Sequence, residues 1–514
     1  MKSYFYFLLF GTVLLSSSCA SILNSKYQRV TVLKQDSTAF YFDGKKPQEE
    51  NGRYLIERNY NGHQIELRRE GYKTEYTVQG YHKASTLKYM SLLLVLPYFY
   101  DFGNKAYKYP SVWDYSDITL KEWPVREEDE KEIQLNKVDL NVNAENYTFR
   151  EFRNFQSYLS RKDVAPVINS NEGDSLVVEN TQFQDILNEI LAEKGYIDTT
   201  RRILKNSYIN NMKINATVEK VNIDLINKTA VKSWVLNPSV KHDLTVKWEV
   251  LDYYDNVEFE MTTDCESGVF TATYYGYENV VLESFKDAIE DGLIDFLNNE
   301  EVHKLLKDRS QLDVESAFEP ITLITNNEFV TTLPESIKSS VTIFRGDDKG
   351  HGSGFIVSND GYIVTNYHVV ARSGDSLSVM LSNGEKHKGV VVRESKVYDL
   401  ALVKIEKDSL RPIKISDKDI EIAEDVYAVG TPTAEDLGQT ITKGIVSARR
   451  KRDGGTELIQ TDASVNAGNS GGALLNKEGV VIGVVSSKVN GIGIEGIAFG
   501  IPSKTLFEKL KLTY

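Results

Sequence analysis

The chain has 514 residues, enough for about three domains of roughly 100 to 200 residues each. Its formal net charge is -14 and its pI is about 5.2, so we expect no general attraction to nucleic acid or to an anionic membrane surface. Two cysteines are too few for a disulfide framework.

Residues 1–18 have the layout of a secretory signal: Lys2, the apolar run YFYFLLFGTVLL, then three serines before Cys19. The run is too short for a comfortable membrane span. A cysteine at the cleavage point resembles bacterial lipoproteins, in the looser form of Bacteroidetes-type bacteria, and the resemblance implies that Cys19 carries acyl chains that anchor the protein. Ala20 follows instead of an acidic residue, which favours the periplasmic face of the outer membrane. An ordinary signal peptide with an incidental cysteine is the alternative.

Residues 19–126 read as a small β-rich domain. Strand-like pieces such as YQRVTVLK and AFYFDG alternate with turn signals at Asp43-Gly44, Asn51-Gly52 and Asn61-Gly62. The segments FYFDGKK and NGHQIELRREGYKTEYTV resemble a PEGA-type β module of envelope lipoproteins. The apolar stretch 87–102 is interrupted by Pro97, so it predicts a core hairpin or a membrane-surface contact, not a span.

The charged run at 124–136, PVREEDEKEIQLN, predicts a solvated linker. Residues 138–310 then combine two kinds of periodicity. Helical spacing occurs around Phe183–Leu191 and Val281–Leu297, and strand alternation occurs in KINATVEKVNIDLI and HDLTVKWEVLDYY. The pattern predicts an α+β domain with helices packed on a sheet. His242 and His303 are isolated in sequence, so we expect no metal site, and no phosphate loop or other cofactor motif is present.

Residues 335–514 contain short, regularly spaced strands such as SVTIFR, YIVTNYHVV and DVYAVGT, as an all-β barrel pair requires. The stretch NAGNSGGALL at 466–475 places Ser470 among glycines, where the backbone turns sharply. A serine hydroxyl needs a nearby base and its tetrahedral product needs donors. The segments TNYHVV and YDLALVKI offer His368 and Asp399.

These three segments, in the chain order His, Asp, Ser, resemble the trypsin-like serine proteases, most closely the HtrA/Deg family. The resemblance implies a trypsin-like double β-barrel with the active site between the barrels. Ser470 would attack the scissile carbonyl, His368 would accept its proton, and Asp399 would orient the imidazole. The backbone at Gly468, Asn469 and Ser470 would form the oxyanion hole, with the N–H groups of Gly468 and Ser470 as donors.

In this fold Ser464 would lie at the base of the specificity pocket, walled by Val485, Ser486 and Ser487. No acid lies there, so we expect a small or medium apolar residue before the cleaved bond. We expect the basic loop 448–457 to be solvated, with binding of an acidic segment or of lipid headgroups as the alternative. No PDZ domain follows the barrels, so we expect regulation from the N-terminal domains; the oligomeric state is not predicted.

The fold class expected is therefore multidomain, with a C-terminal trypsin-like double β-barrel preceded by a small β-rich domain and an α+β domain. The function expected is a cofactor-free serine endopeptidase, lipid-anchored in the bacterial cell envelope and acting on unfolded or specific envelope polypeptides. The alternative is a catalytically idle protease-fold lipoprotein that serves as a binding or chaperone module.

Overall fold

The computed structural model describes residues 26–58, 63–79, 83–84, 107–142, 147–152, 178–198, 204, 207–226, 239–308, 318–326, 328–345, 350–371, 377–418, 420–431, 439–452, 456–466, 468–488 and 496–514. The signal segment 1–18, Cys19 and the apolar stretch 87–102 lie outside these residues. Within the described part of the chain, no helix combines the length and apolar character needed to cross a bilayer.

The N-terminal region is built from short strands. In chain order they are β1 (Tyr27–Leu33), β2 (Ala39–Phe42), β3 (Glu49–Glu50), β4 (Arg53–Glu57), β5 (His63–Arg68), β6 (Glu75–Gln79), β7 (Lys83–Ala84), β8 (Tyr107–Lys108) and β9 (Val112–Asp114). They form sheets with the orders β3-β4-β1-β9 and β2-β5-β6, and a β7-β8 pair. Asn51 and Gly52 join β3 to β4 with positive φ angles of 50° and 72°, as a two-residue hairpin turn requires.

The second region is a twisted sheet covered by helices. Its strands are β10 (Glu132–Leu140), β11 (Tyr147–Phe152), β12 (Asn211–Ile226), β13 (Ser239–Leu251), β14 (Val257–Glu266) and β15 (Phe270–Thr271). Its helices are α1 (Asn180–Glu193), α2 (Ala272–Tyr275), α3 (Tyr277–Leu297) and α4 (Glu300–Lys307). Strands β10-β12-β13-β14 form the main sheet, and α3 packs on β13 and β14. The expected α+β arrangement is confirmed.

The sequence patterns explain this packing. Phe183 and its neighbours at helical spacing are buried on one face of α1, and Phe285 and Phe296 are buried on α3. The ring of Trp248 on β13 stacks on Phe296 with 5.0 Å between ring centroids. The charged run at 124–136 differs from the solvated linker expected, because β10 begins inside it and Glu130, just before β10, is buried.

A buried ion pair joins the first two regions. Lys73 Nζ lies 2.6 Å from Asp287 Oδ1 of α3, and the two side chains are only 1% and 3% exposed. Gln64 adds two hydrogen bonds across the same contact: its Nε2 donates to the Val269 carbonyl (3.0 Å) and its Oε1 accepts from the Thr271 N–H (2.9 Å). The small β-rich region therefore packs directly on the α+β region.

The C-terminal region contains two closed barrels. A leading strand, β16 (Ile321–Thr322), and helix α5 (Leu333–Ser339) precede them. The first barrel comprises β17 (Ser340–Phe344), β18 (His351–Ile356), β19 (Tyr362–Thr365), β20 (Ser378–Met380), β21 (Lys386–Ser395) and β22 (Leu400–Ile405), with helix α6 (Tyr367–Val370) after β19. The second comprises β23 (Asp425–Gly430), β24 (Thr440–Lys451), β25 (Glu457–Thr461), β26 (Ala473–Leu475), β27 (Val481–Lys488) and β28 (Ala498–Pro502). Helix α7 (Ser503–Leu510) and β29 (Leu512–Thr513) end the chain described here.

The barrel orders are β17-β18-β19-β22-β21-β20 and β23-β24-β25-β28-β27-β26, so both barrels repeat one topology. A shared apolar cluster packs them together, with Phe355 and Leu402 from the first barrel and Leu475 and Val484 from the second, all fully buried. The expected double β-barrel is confirmed. A groove between two such barrels is where side chains from both can meet.

Candidate functional site

Ser470 lies on the turn that leads into β26, on the second barrel. Gly471 follows it with φ of 85°, and a Cβ there would lie 2.2 Å from both the Ser353 carbonyl oxygen and Thr365 Oγ1 of the first barrel. A Cβ on Gly472 would lie 2.2 Å from the Val429 carbonyl oxygen. The two glycines are therefore required for close approach of the turn to the barrel walls.

Ser353 on β18 fastens this turn to the first barrel. Its backbone N–H donates to the Ser470 carbonyl (2.8 Å), and its hydroxyl donates to the Gly468 carbonyl (2.7 Å) while accepting from the Thr431 N–H (2.8 Å). The Ser353 side chain is fully buried. The sequence analysis did not identify this residue, because the strand segment GSGFIVS contains no local pattern that marks such a contact.

His368 and Asp399 lie on the first barrel and form a tight pair. His368 is on the short helix α6, and Asp399 directly precedes β22 with φ of 55°. His368 Nδ1 lies 2.9 Å from each carboxylate oxygen of Asp399, and the His368 backbone N–H donates to Oδ1 (3.1 Å). Asn366 Nδ2 donates to the Asp399 carbonyl oxygen (2.8 Å), which holds the unusual backbone in place.

Ser486 on β27 links this pair to Ser470. Its hydroxyl donates to Asp399 Oδ2 (2.9 Å), and its carbonyl oxygen accepts a hydrogen bond from Ser470 Oγ (3.1 Å). The three residues singled out from the sequence therefore meet in one hydrogen-bonded cluster. Ser470 and His368, both described residues, share no direct hydrogen bond in this state.

The environment of His368 sets its protonation. Desolvation in the cleft opposes the charged imidazolium, but the Asp399 carboxylate and its hydrogen bond outweigh desolvation, so the pKa of His368 lies above its ordinary value of 6.5. The side chain is 33% exposed, so water and small molecules still reach the ring. A proton arriving on this ring would be stabilised.

Two backbone N–H groups of the turn, those of Gly468 and Ser470, have no acceptor among the described residues. The Asn469 N–H between them donates to the Asn466 carbonyl (3.0 Å). Backbone N–H groups that converge on one point stabilise developing negative charge on oxygen.

The four residues expected to form the pocket have different surroundings. Ser464 is exposed, and its carbonyl oxygen accepts from Thr442 Oγ1 (2.8 Å). The Val485 side chain is buried in the core of the second barrel, and that of Ser486 turns toward Asp399. Ser487 is a residue of β27 whose side chain lies outside the description. The pairing of β27 with β28 shifts register between Val485 and Ser487.

A residue from outside the barrels also lies at the cleft. Tyr254, in the hairpin between β13 and β14, packs against Tyr367 and His368 of helix α6. The sequence gives no signal for this contact, because an aromatic residue at a hairpin tip is common and its partner lies more than a hundred positions away in the chain.

The α+β region contains the two histidines His242 and His303 and the free cysteine Cys265. His242 is buried, its Nδ1 lies 2.7 Å from Ser284 Oγ, and burial lowers its pKa to about 3. Burial raises the pKa of the Cys265 thiol to about 12, which makes it an inert core residue. His303 is isolated in sequence but not in space, since it lies beside Glu127 and Glu130. Its Nδ1 is 3.1 Å from Glu130 Oε1.

The class of the C-terminal region follows from this geometry and from a family match. Residues 352–484 match the family described as Trypsin-like peptidase domain. The paired barrels and the match together identify this part of the chain as a trypsin-like peptidase domain.

Individual relatives of this region carry the names of HtrA-like and DegP-like serine proteases. The chain is 41% identical over 171 residues to "Serine protease Do-like HtrA" of Lactococcus lactis subsp. cremoris (strain MG1363), covering 30% of this chain and 42% of that protein. It is 44% identical over 159 residues to "Probable periplasmic serine endoprotease DegP-like" of Buchnera aphidicola subsp. Baizongia pistaciae (strain Bp), covering 29% and 34%.

A solved structure, "Crystal structure of the serine endoprotease from Yersinia pestis", is 34% identical, with coverage of 35% of this chain and 64% of that chain and a TM-score of 0.32. The chain spans less than half the length of the two curated relatives above, 42% and 34%.

Proposed function

We propose that this chain is a serine endopeptidase that uses Ser470 as nucleophile, His368 as general base and Asp399 as the group that orients the imidazole. The observation that carries the proposal is the role of Ser486, which hydrogen-bonds both Asp399 and Ser470 and so brings all three groups into one cluster. The HtrA-like relatives support the same reaction class.

The reaction follows from the contacts. Rotation of the Ser470 side chain moves its hydroxyl from the Ser486 carbonyl to the imidazole of His368, which takes the proton as Oγ attacks the scissile carbonyl. The N–H groups of Gly468 and Ser470 hold the resulting oxyanion, and each such donor contributes roughly 10²- to 10³-fold in rate. His368 then gives its proton to the leaving amine. A water molecule, activated by the same imidazole, hydrolyses the acyl-enzyme.

The proposed substrates are polypeptides of the bacterial cell envelope, either unfolded or specific. Extended peptide would pair with β27, and the exposed Ser464 gives no charge to attract a basic residue before the cleaved bond. Two features support an envelope location: the secretory layout of residues 1–18 and relatives whose names include the word periplasmic.

The proposal includes a lipid anchor at Cys19, on the periplasmic face of the outer membrane, and a PEGA-like module after it. Growth of the expressing bacterium with an alkyne-tagged palmitate should label the wild-type chain and leave Cys19→Ser unlabelled. Equal labelling of both proteins would place the acyl chain elsewhere and end the anchor proposal.

Labelling of the full-length chain with a fluorophosphonate tests the catalytic proposal, because the reagent reacts only with an activated serine. Wild type should be labelled on Ser470, and wild type denatured by heat before the reagent is added should stay unlabelled. Ser470→Ala and His368→Ala should not be labelled, whereas Ser382→Ala, which removes an exposed hydroxyl on the first barrel, should react like wild type. A folded wild-type chain that stays unlabelled would refute the proposal.

A second candidate function is a binding or chaperone module with an idle protease fold. One observation favours it: Ser470 Oγ donates to the Ser486 carbonyl oxygen (3.1 Å) and not to His368. In that case wild type and Ser470→Ala would both resist labelling and would suppress aggregation of an unfolded envelope protein equally well.

A further inference from the structure

The hairpin between β13 and β14 carries a well-defined tip. The Asp252 carboxylate accepts hydrogen bonds from the backbone N–H groups of Tyr254 (2.8 Å) and Asn256 (2.9 Å), and from Asn256 Nδ2 (2.8 Å). Asp255 takes the positive φ of 67° that closes the turn. The tip is therefore a fixed loop that presents Tyr254 in one direction.

Tyr254 touches both segments that carry the proposed catalytic pair. Its hydroxyl donates to the Lys396 carbonyl oxygen (2.6 Å), three residues before Asp399. Its ring packs on Tyr367 with 5.0 Å between centroids, and lies nearly parallel to the imidazole of His368 (16° between planes, 6.2 Å between centroids). The α+β region thus reaches the groove between the barrels.

The surroundings of Tyr254 favour its neutral phenol. Burial raises the pKa of this phenol well above the ordinary value, the Asp399 carboxylate adds to the rise, and Arg452 opposes it. The neutral phenol can donate the hydrogen bond to the Lys396 carbonyl.

Tyr254 borders the cleft without closing it. His368 keeps 33% of its side-chain surface exposed, and Ser470 is only half-buried. A residue that blocked the site would cover both groups. Tyr254 leaves both groups accessible and packs on one side of the imidazole, so it forms one wall of the cleft.

An extended peptide that pairs with β27 points successive side chains to opposite sides. If the residue before the scissile bond enters the pocket near Ser464, the residue preceding it points toward His368 and the hairpin tip. We propose that Tyr254 is a positioning residue for His368 and the aromatic wall of the subsite for this second residue, where it selects an apolar side chain. The proposal rests on the proposed endopeptidase function, and it makes the α+β region part of the active site.

The test compares Tyr254→Ala, Tyr254→Phe and the control Tyr274→Ala, a partly exposed tyrosine of the same region. Peptides with leucine or glycine at the second position before the cleaved bond are the probes. Wild type and Tyr274→Ala should prefer leucine about tenfold in kcat/KM, equivalent to about 1.4 kcal/mol, which is the size of a good aromatic contact. Tyr254→Ala should lose this preference and Tyr254→Phe should keep it. Faster cleavage of both peptides by Tyr254→Ala would show that the Tyr254 side chain blocks the site, and would overturn the proposal.

Titration of His368 by NMR of ¹³C-labelled histidine gives a readout that does not need catalysis. The groups that face the ring are Asp399, Arg345 and the Tyr254 side chain. Loss of the Tyr254 ring exposes the imidazole to water, which favours its charged form, so its pKa should rise in Tyr254→Ala and stay unchanged in Tyr274→Ala. An unchanged His368 titration in Tyr254→Ala would refute the positioning role.

The two proposals fail in different ways. If wild type does not react with fluorophosphonate, the endopeptidase function is wrong, and the titration still decides whether Tyr254 controls the environment of His368. If wild type reacts and the leucine preference survives in Tyr254→Ala, the function stands and the proposed wall is wrong.

Discussion

Replacement of Ser353 by alanine tests whether this one buried hydroxyl holds the turn that carries Ser470 against the first barrel. The change removes a single oxygen and leaves the backbone contact with Ser470 intact. The Gly468 carbonyl loses its donor and the Thr431 N–H loses its acceptor.

The expected loss of stability comes from the two backbone groups that lose their hydrogen-bond partner. A buried polar group without a partner costs about 1–3 kcal/mol. Thr431 is fully buried, whereas Gly468 is half-buried and part of its loss can be offset by water. We expect a loss of about 2–4 kcal/mol.

The assay has to observe the barrels themselves. All four tryptophans precede them, at positions 113, 123, 234 and 248, so intrinsic fluorescence reports on the N-terminal regions. Amide hydrogen exchange of peptides that cover β18, β19 and β22 is the suitable measurement. A loss of 2–4 kcal/mol corresponds to exchange faster by roughly 30- to 1,000-fold. Fluorophosphonate labelling should slow as well, because the Gly468 carbonyl loses its donor and the proposed oxyanion hole loses a support.

Ser358→Ala is the matched control. Ser358 is also a buried serine of the first barrel, but its hydroxyl accepts one hydrogen bond, from the Tyr362 N–H (2.9 Å), in a turn away from the cleft. It should lose about 1 kcal/mol and keep its labelling rate. If Ser353→Ala matches this control in both exchange and labelling, Ser353 does not fasten the turn.

Three further predictions follow from the geometry. Asp399→Asn should lower kcat/KM by about 10⁴-fold, since the imidazole of His368 loses its orienting carboxylate. In the pH profile of wild type, activity should fall as the pH drops through the pKa of His368, which lies above 6.5. A fall in activity that begins only below pH 6.5 would contradict the ion pair. Gly471→Ala should lower the stability of the barrels, measured by amide hydrogen exchange, by about 2–4 kcal/mol, because φ of 85° and two contacts at 2.2 Å oppose a Cβ. The control Gly384→Ala, with φ of 86° and open space around it, should lose only the backbone strain of about 1–2 kcal/mol. Lys73→Met should lower the free energy of unfolding of the N-terminal regions by about 3–5 kcal/mol, measured by urea titration with tryptophan fluorescence. An added Asp287→Leu should recover most of this loss, because no buried charge is then left unpaired. No loss in the single variant would show that the pair is dispensable.

The sequence predicts best what is local. The helical spacing around Phe183 and the alternation through β12 locate a helix and a strand correctly, because burial of one face imposes its period on the residues themselves. The motifs around His368, Asp399 and Ser470 are also local, because each short helix or turn is specified by a few neighbouring residues, and the structure brings their side chains into one cluster.

The sequence fails where a role depends on distant segments or on an irregular strand. The pairing of β27 shifts register after Val485, so simple alternation gives no reliable facing for Val485 and Ser486. The roles of Ser353 and Tyr254 arise only when barrels and hairpin meet, and no local pattern marks such contacts.

The ion pair of Lys73 and Asp287 connects the N-terminal sheet to the cleft through packed elements. The pair and the two hydrogen bonds of Gln64 hold that sheet on the α+β region, where Asp287 belongs to α3. Helix α3 lies on β13 and β14, and these strands end at the hairpin that holds Tyr254. The first region is therefore linked, by one continuous series of contacts, to the ring that packs beside the imidazole of His368.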